Sequence, residues 1–339
     1  MMYFYFVLPH ILYNFVVELS RNTNQNTNMT NILKTNEKDR IVVVGSANMD
    51  MVISAAHFPQ PGETLTGYGF MTNHGGKGAN QAVAAARLGA GVSFIGKVGN
   101  DDFGRATIEM MRKEGIDVSA LTVTEEAPTG VALITTIPSG ENTIIIEPGA
   151  NAKLTPEDID NAGGLFSRAA IVLMQLETPV NTLARAAAMA KQQGAIVVLN
   201  PAPAPTEPLP AELLQNVDLL IPNETEAATI SGMAVETETD IPGAMEKLQA
   251  LGIQRVIVTL GSKGACTSIG GKLTAVPSEK VEAVDTTAAG DTFCGALCTA
   301  LLQGKELTEA MQYGCKAAAV SVTRRGAQMS MPYKNEIED

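Results

Sequence analysis

The sequence contains few positively charged residues, and this shortage excludes one class of function. Lysine and arginine together number 24, against 36 aspartates and glutamates, so the formal net charge is −12. Nucleic-acid binding needs clustered positive charge, and the chain has no basic block and no basic stripe interleaved with aromatics. We therefore expect no nucleic-acid partner. An acidic chain can still bind an anionic small molecule locally, through backbone N–H groups, helix N-termini and a divalent cation.

Cysteine and histidine are also scarce. The 4 cysteines form no C-x-x-C pair, and the 3 histidines do not cluster with them in sequence. We therefore expect no structural zinc site. The cysteines are expected to be buried and reduced, as is usual in a cytoplasmic protein.

The fingerprints of two common nucleotide-binding folds are missing. No G-x-G-x-x-G follows a predicted strand, which argues against a dinucleotide-binding fold. The stretch GVSFIGKV (91–98) fits most of a P-loop, but Val98 occupies the place of the Ser or Thr that would hold magnesium. The residues between its glycines are bulky and strand-like, so we predict a buried strand there.

The N-terminal residues differ from the rest of the chain. Residues 1–17 are apolar and aromatic, but a proline and polar residues interrupt them, which makes a membrane span marginal. A signal peptide is disfavoured because no Lys or Arg precedes Arg21 and no A-x-A site follows. We expect residues 1–39 to be an unstructured extension, or sequence upstream of a true start near Met29, and we expect no membrane partner.

The remaining chain alternates between predicted strands and helices. Hydrophobic residues make up 45% of the sequence, which supports a sizeable core. Runs such as IVVVG (41–45) predict buried parallel strands, and Ala-rich stretches ending in Gly, such as residues 77–89, predict helices. The alternation predicts an α/β fold over residues 40–335, with a doubly wound, mostly parallel sheet flanked by helices. Further strands are predicted at 92–99, 171–176, 195–200, 218–223 and 255–261, a hairpin at 266–276, and helices at 103–115, 179–193, 224–231, 241–252, 290–303 and 307–323.

Two segments break this alternation. Residues of about 51–73 and 128–148 are β-like, with no helix between their strands, and PSGE within the second is a hairpin signal. We predict that they form a small inserted β-sheet that serves as a lid or a dimer surface.

Polar residues follow several predicted strands. In an open α/β sheet, ligands bind outside the carboxyl ends of the strands, so these residues are expected to form one site. Each also has a simpler explanation, such as a polar turn, an N-cap at Asn223 or a plain β-turn. They are Asn48 and Asp50 in GSANMD, Glu177 after LMQL, Asn223 and Glu226 in NETE, and the turn GSKG (261–264).

Two glycine-containing motifs precede predicted helices. NHGGKGANQ (73–81) lets the backbone approach a ligand closely and places Lys77, Asn80 and Gln81 on the first helical turns. The lysine and asparagine offer hydrogen bonds that suit sugar hydroxyls. A glycine-rich turn with a solvated lysine is the alternative. DTTAAGDTF (285–293) places small residues and Asp291 where a helix begins. Asp291 can be an N-cap, a catalytic carboxylate, or both.

With these motifs the chain resembles the phosphofructokinase-B-type carbohydrate kinase family, from about Ile41 to Pro332. GGKGANQAVAAARLGA (75–90) and VDTTAAGDTFCGAL (284–297) are similar to its two signatures, and PNETE (222–226) is similar to its N-x-x-E motif. The resemblance implies an ATP-dependent kinase that phosphorylates the 5-hydroxyl of D-ribose, with Mg²⁺ as a cofactor and K⁺ as an activating cation.

The resemblance also implies residue roles. Asp291 would be the catalytic base, and Ala289 and Gly290 would expose N–H groups at the helix start to the transferring phosphoryl group. The sugar ligands would be Asn48, Asp50, Gly76, Lys77, Asn80, Glu177 and Asp291. The ATP contacts would be Asn223, Thr259, Leu260, Gly261, Ser262, Lys263, Gly264, Gly290 and Cys315. Glu226 would organise Mg²⁺ through water, and K⁺ would lie near Asp285, Thr287, Ser321, Arg324, Gly326 and Ser330.

Two positions depart from the expected pattern. Cys315 stands where a histidine is expected, which could alter the fit of the nucleotide, and Met329 replaces a proline. Other functions remain open from sequence: a kinase of fructose, pseudouridine or adenosine, or a non-catalytic sugar-binding regulator. The resemblance further suggests a cytoplasmic homodimer joined through the lid sheet.

Overall fold

The computed structural model describes residues 38–337, so residues 1–37 of the expected extension lie outside the described residues. Within this part of the chain, the strands form a main sheet of nine strands and a small sheet of four. The main sheet contains β1 Arg40–Val44, β4 Gly91–Gly99, β5 Asp117–Thr124, β8 Ala169–Met174, β9 Ile196–Leu199, β10 Leu219–Leu220, β11 Arg255–Thr259, β12 Ala265–Ile269 and β13 Lys272–Val276. The small sheet contains β2 Asn48–Ser54, β3 Tyr68–Gly75, β6 Gly130–Thr136 and β7 Asn142–Glu147.

The main sheet is mostly parallel. Its order is β13-β12-β11-β10-β9-β8-β1-β4-β5, and its antiparallel pairs are β11–β12 and β12–β13, at one edge. The sheet grows from β1 through β4 in one direction and through β8 in the other. Such a reversal opens a crevice at the carboxyl ends of the strands.

Helices connect most of the main-sheet strands. They are α1 Lys77–Arg87, α2 Asp102–Lys113, α3 Pro156–Asn161, α4 Gly163–Phe166, α5 Val180–Gln192, α6 Ala211–Leu214, α7 Glu224–Ser231, α8 Ile241–Ala250, α9 Ala289–Leu302 and α10 Leu307–Ser321. None of the helices in residues 38–337 has both the length and the apolar content that a membrane span requires.

The first strand shows how the core is built on both faces of the main sheet. Successive side chains of a strand point to opposite faces. Ile41 and Val43 accordingly join one buried cluster, and Val42 and Val44 join the other. All four are fully buried, and each such side chain stabilises the fold by about 1.5–3 kcal/mol. This double burial explains why β1 is an unbroken apolar run.

The small sheet lies beside the crevice because β2 follows β1 after a short connection, Gly45–Ala47. Its order is β3-β2-β6-β7, with β2 and β6 parallel and the other pairs antiparallel. Asn48 and Asp50 lie on β2, where the chain leaves the main sheet.

The predicted fold class is confirmed, with differences in detail. The strand predicted at 218–223 shortens to Leu219–Leu220, because Pro222 has no N–H to donate and Asn223 already caps α7. The strand β5 was not predicted from the sequence. Residues 91–99, the false P-loop, form the continuous strand β4.

Candidate active site

A cleft of about 710 Å³ opens at the carboxyl ends of the main-sheet strands. The predicted site residues that line it are Lys77, Asn223, Glu226, Thr259, Gly261, Ser262, Gly264, Ala289, Gly290, Asp291 and Cys315. The predicted sugar ligands on β2 and at the start of α1 adjoin this set, because Asn80 contacts Asp291 and Glu177 contacts the backbone of Lys77. The structure therefore brings the sugar set and most of the nucleotide set together.

Asp291 is buried in the first turn of α9. The expectation that it caps this helix is wrong, because the N-cap is Ala288 and no side chain provides a cap hydrogen bond. The carboxylate instead accepts hydrogen bonds from two amides of α1. Asn80 Nδ2 lies 2.9 Å from Oδ2, and Gln81 Nε2 lies 2.9 Å from Oδ1. Both oxygens are thus anchored, and each keeps a lone pair for a further donor.

The start of α9 is open to the cleft. A Cβ added at Gly290 would meet no atom within 4 Å. Ala288 takes a left-handed conformation with φ of 60°, which costs a non-glycine residue about 1–3 kcal/mol. The first N–H groups of a helix lack intrahelical partners and carry partial positive charge. This helix start can therefore receive an anion.

The carboxylate of Asp50 fits against β3 only because its neighbour is glycine. A Cβ at Gly75 would lie 2.2 Å from Asp50 Oδ2, far inside contact distance. Burial raises the pKa of Asp50 from 3.8 to about 7, with further contributions from the charges of Glu177 and Asp291. Asn48, on the same face of β2, accepts a hydrogen bond of 2.7 Å from Asn151 Nδ2.

Gly76 joins β3 to α1 in a conformation that suits glycine. Its φ is +87°, and an added Cβ would lie 2.8 Å from the backbone nitrogen of Asn48. The turn therefore brings the start of α1 against β2, so that Lys77 faces the cleft.

Lys77 and Glu177 meet at the centre of the site. Glu177 Oε2 accepts from the backbone N–H of Lys77 at 3.0 Å and from Ser46 Oγ at 2.6 Å. Burial acts to lower the pKa of Lys77, but the charges of Asp291, Glu177 and Glu226 outweigh it, so the pKa is raised. Lys77 therefore remains a cation in a cleft that is otherwise rich in carboxylates.

Asn223 and Glu226 cap α7 reciprocally. Asn223 Oδ1 accepts from the N–H of Glu226 at 2.8 Å, and Glu226 Oε2 accepts from the N–H of Asn223 at 2.9 Å. Both residues also line the cleft, so capping α7 does not exclude a role in the site. Burial raises the pKa of Glu226 despite this hydrogen bond and the nearby charge of Lys77.

The turn after β11 contributes backbone more than side chains. Gly261, Ser262 and Gly264 line the cleft, whereas Leu260 packs into the core. Lys263 points elsewhere: its Nζ lies 3.4 Å from Glu238 Oε1, in an exposed pair outside the cleft lining. The Lys263 side chain is thus directed away from the residues that line the cleft.

Cys315 lies on the wall of the cleft contributed by α10. It is 5% exposed, and burial raises the pKa of its thiol to about 11. A neutral thiol presents a small, weakly polar surface to a bound ligand. The other three cysteines are also buried and form no disulfide.

The residues expected to hold a monovalent cation meet where two loops approach. Asp285 accepts from the N–H groups of Thr287 and Gly326, both at 2.9 Å, and these bonds hold its pKa below the ordinary value although burial opposes them. Ser321 and Ser330 are fully buried beside their own backbone turns. The side chain of Arg324 pairs with Glu336, so only its backbone is left to serve such a site.

The available oxygen donors limit the kind of metal site that these residues can form. Among residues 38–337, no group of three or more His, Cys, Asp or Glu side chains is placed to hold a metal ion. The donors near Asp285 are one carboxylate, hydroxyls and carbonyls, which suit a hard monovalent cation. Glu226 offers one carboxylate beside the cleft, which fits Mg²⁺ because that ion is usually held by one or two carboxylates together with substrate phosphates.

Several residues at the site were not assigned roles from the sequence. Those that contact predicted site residues are Ser46, Gln81, Asn151, Asn200 and Gln328. The loop Ser278–Ala283 also lines the cleft. Ser46 stands inside GSANMD and Gln81 inside NHGGKGANQ, so these motifs could have marked them, whereas Asn151 lies in no motif.

A cleft at the carboxyl ends of a mostly parallel sheet, with a buried carboxylate beside an open helix start, is typical of α/β enzymes that act on small molecules.

Comparison with known proteins makes the assignment specific. The model of the pfkB family carbohydrate kinases matches residues 38–334. The chain is 45% identical to a ribokinase of Haemophilus influenzae over 296 residues, which cover 87% of this chain and 96% of the relative. It is 38% identical to a deoxyribokinase of Salmonella typhi, covering 86% and 95%. The structure of Arabidopsis thaliana ribokinase complexed with ribose and ATP superposes with a TM-score of 0.82 at 35% identity, covering 88% of this chain and 97% of that one. The chain belongs to the pfkB family of carbohydrate kinases.

Proposed function

We propose that the protein is an ATP-dependent kinase that transfers the γ-phosphoryl group to the 5-hydroxyl of D-ribose. One observation carries this proposal: the buried Asp291 carboxylate lies at the open start of α9, next to the polar residues of β2 and α1. Family membership and the similarity to ribokinases along most of the chain support ribose as the acceptor.

The reaction follows from this placement. The 5-hydroxyl oxygen attacks the γ-phosphorus, the bond from that phosphorus to the β,γ-bridging oxygen breaks, and ADP leaves. The hydroxyl proton passes to an Asp291 oxygen that retains a lone pair. Negative charge on the transferring group is received by the N–H groups at the start of α9, such as that of Gly290. The N–H of Ala289 was expected to take part, but it donates to the carbonyl of Thr286 at 3.2 Å. Alignment and charge stabilisation supply most of the catalysis in phosphoryl transfer.

The sugar ligands would be the polar groups around β2 and α1. Asn48, Asp50 and Glu177 offer acceptors and an amide to the hydroxyls, and Lys77 and Asn80 offer donors. Gly76 contributes close backbone approach, since a side chain there would collide with β2.

The nucleotide would lie along the remaining cleft wall. Asn223, Thr259, Gly261, Ser262, Gly264 and Gly290 line it and are proposed as ATP contacts, with Cys315 near the adenine. Lys263 and Leu260 would contribute through backbone only, because their side chains lie outside the cleft lining.

Two cations are proposed. Glu226 would hold Mg²⁺ through water, and a bound Mg²⁺ supplies charge neutralisation on the nucleotide phosphates. Asp285 and the turns around Ser321, Gly326 and Ser330 would hold K⁺. Because Asp285 already ties the loop before α9 to the loop after α10, these residues fix the position of the α9 start.

Potassium is therefore expected to raise kcat well above its value in sodium. The larger ion matches a site built from carbonyls and hydroxyls, which cannot contract far around Na⁺. Initial rates at equal ionic strength in KCl, NaCl and a tetraalkylammonium salt would measure this. Equal rates in all three salts would contradict the cation site.

The small sheet is proposed to act as a lid and as the surface of a homodimer. Apolar side chains are exposed on it: Ile53, Tyr68, Phe70, Met71, Leu133, Ile144, Ile145 and Ile146. Exposed apolar patches and open edge strands of this kind are usually covered by a partner. We propose that a second copy of the chain covers this surface, because an open edge strand can pair with the same strand of another copy.

A dimer is expected by light scattering at micromolar concentration. Ile144→Asp and Ile145→Asp place a charge on opposite faces of β7, so at least one of them should yield a monomer. Leu251→Asp, at an exposed apolar residue away from the small sheet, is the control and should remain dimeric. A wild-type monomer would rule out the proposed surface.

The acceptor is tested by measuring ADP release with a panel of sugars and nucleosides. D-ribose is expected to give the highest kcat/KM, ahead of 2-deoxyribose, fructose, pseudouridine and adenosine. A higher kcat/KM for one of the others would transfer the function to that substrate. No ADP release with any acceptor would favour a non-catalytic sugar-binding regulator. A cytoplasmic location remains a prediction.

A further inference from the structure

We infer that Gln81 is a positioning residue for the catalytic base, which holds the Asp291 carboxylate in the orientation that the reaction needs. The inference rests on the proposed kinase function and adds a residue to it. Gln81 itself touches no substrate in this account. It acts through Asp291.

The contacts of Gln81 use its whole amide. The residue is fully buried on α1. Its Nε2 lies 2.9 Å from Asp291 Oδ1 and 3.0 Å from Asn200 Oδ1, so both N–H groups have acceptors. Its Oε1 accepts from Gln175 Nε2 at 2.6 Å. A side chain with every polar group engaged has little freedom to rotate.

The direction of this amide is determined by its neighbours. Asn200 Nδ2 donates to the carbonyl of Ile221 at 2.8 Å, so Asn200 must present its oxygen to Gln81. A reversed Gln81 amide would set its own oxygen against the oxygens of Asp291 and Asn200. Only the observed orientation lets Gln81 donate to Asp291 Oδ1.

Gln175 holds the Gln81 amide in that orientation, and one of its own polar atoms is left without a hydrogen bond within the described part of the chain. Its Nε2 serves Gln81, and its Oε1 is buried with no hydrogen-bond partner among the described residues. Buried polar atoms without partners are rare and call for an explanation. A Cβ at Gly45 would lie 2.2 Å from this Oε1, so glycine at that position is what leaves room for the Gln175 amide. The stabilised orientation of Gln81 explains both features.

The network fixes the base relative to the main sheet. Gln175 follows β8 and Asn200 follows β9, so the ends of two central strands hold Gln81, and Gln81 holds Asp291. Asn80 holds the second carboxylate oxygen from the same helix. A general base acts well only when its oxygen is within hydrogen-bond reach of the proton, and a displacement near 1 Å can cost about 100-fold in rate.

The test compares two substitutions of Gln81 in the full chain. Gln81→Met keeps the volume but removes the donor, so kcat should fall by roughly 10- to 100-fold, with the KM for ribose nearly unchanged. Gln81→Glu can restore the donor while its carboxyl is protonated, since its other oxygen still accepts from Gln175. This variant should exceed Gln81→Met near pH 6 and lose that advantage by about pH 9, because a buried glutamic acid can titrate as high as pH 8–9.

The pH comparison is made against wild-type protein at each pH. The titratable groups that interact with Asp291 are Lys77 on α1, Asp50 on β2, Glu226 on α7 and Cys294 on α9 itself, and Glu177 after β8 contacts Lys77. All of them are present in every variant. A fall in relative kcat with rising pH that occurs only in Gln81→Glu therefore comes from ionisation of the new carboxyl. If Gln81 had a purely structural role, its substitution would lower kcat, but the kcat of Gln81→Glu relative to wild type would not change with pH.

Two further variants complete the test. Gln175→Met leaves the Gln81–Asp291 contact in place but removes the donor that holds Gln81 Oε1, so it should lower kcat less than Gln81→Met does. This variant carries the test if Gln81→Met does not fold. Thr299→Val removes a buried hydroxyl between α9 and α1 that does not touch Asp291, and it should keep wild-type kcat.

The outcomes separate this inference from the proposed function. An active wild-type protein with wild-type kcat in both Gln81→Met and Gln175→Met would overturn the positioning role. A Gln81→Glu profile of the same shape as that of Gln81→Met would overturn it as well. A wild-type protein that does not phosphorylate ribose would overturn the proposed function itself.

Discussion

Asp291→Asn is expected to lower kcat for ribose phosphorylation by about 10²- to 10⁴-fold, with the KM for ribose nearly unchanged. An amide has the shape of the carboxylate but cannot accept the hydroxyl proton. The variant should fold, because Asp291 is not the N-cap of α9. The NH2 group of the new asparagine would face the side-chain amide N–H of either Asn80 or Gln81, which now donate to the carboxylate. Two donors facing each other would cost about 1–3 kcal/mol of stability. Initial-rate kinetics with thermal unfolding of the same samples measures both effects.

Asp102→Asn is the matched control for this substitution. Asp102 also lies in the first turn of a helix, but it is exposed and distant from the cleft lining. Like Asp291→Asn, its replacement removes one negative charge from the first turn of a helix, but it does so outside the site. We expect wild-type kcat. Near wild-type kcat in Asp291→Asn would show that the base is assigned to the wrong residue.

Asp50→Asn is expected to stabilise the ligand-free protein at pH 8 by up to about 4 kcal/mol, and to weaken ribose binding. The pKa of Asp50 rises from 3.8 to about 7 on folding, mainly through burial and further through repulsion from Glu177 and Asp291. Its contribution to stability is therefore complete below about pH 4 and is lost as the pH rises through about 7. Asparagine does not ionise, so the variant avoids that loss at pH 8.

Urea unfolding of wild-type and variant protein at pH 5 and pH 8 tests the sign. The gain from Asp50→Asn should be larger at pH 8. Asp101→Asn provides the opposite case, because hydrogen bonds from Thr129 and Gly104 hold the pKa of Asp101 below its ordinary value although burial opposes them. It should lose more stability at pH 8 than at low pH. An equal change for Asp50→Asn at both pH values would contradict the ionisation argument.

If Asp50→Asn stabilises the protein, then the Asp50 carboxylate lowers the free energy of unfolding. Its carboxylate shares a buried space with two others, and Gly75 is needed to leave room for it. Functional sites commonly retain such unfavourable groups because ligand binding requires them. In this protein, sugar hydroxyls would replace the missing solvent around the Asp50 carboxylate.

The sequence predicted the fold class because its signals are local. Double burial made β1, β8, β9 and β11 apolar runs, and glycines marked many helix ends. The strand β5 was missed because it is an edge strand with partly exposed residues, so its pattern is weak. The short helices, such as α4 and α6, span single turns and leave no periodicity to detect.

The sequence predicted the site residues that lie in motifs. It did not predict contacts between residues that are far apart in sequence. Asp291 and Lys77 lie in contiguous glycine-containing stretches that the sequence displays. The contacts of Gln81 reach Gln175 and Asn200, which are 94 and 119 residues away, and no local pattern links them. Lys263 was expected among the ATP contacts because of the family resemblance. The conformation of the GSKG turn, not its composition, directs the side chain to Glu238.

The most direct test of the account is to identify the product of wild-type protein and of Asp291→Asn with D-ribose, ATP, Mg²⁺ and K⁺. Proton-coupled ³¹P NMR shows which carbon carries the new phosphate, and an ADP assay gives the stoichiometry. The account predicts ribose 5-phosphate and ADP in equal amounts from the wild-type protein, and almost none from the variant in the same time. Phosphate on another carbon, ADP without a sugar phosphate, or equal turnover by the variant would contradict it.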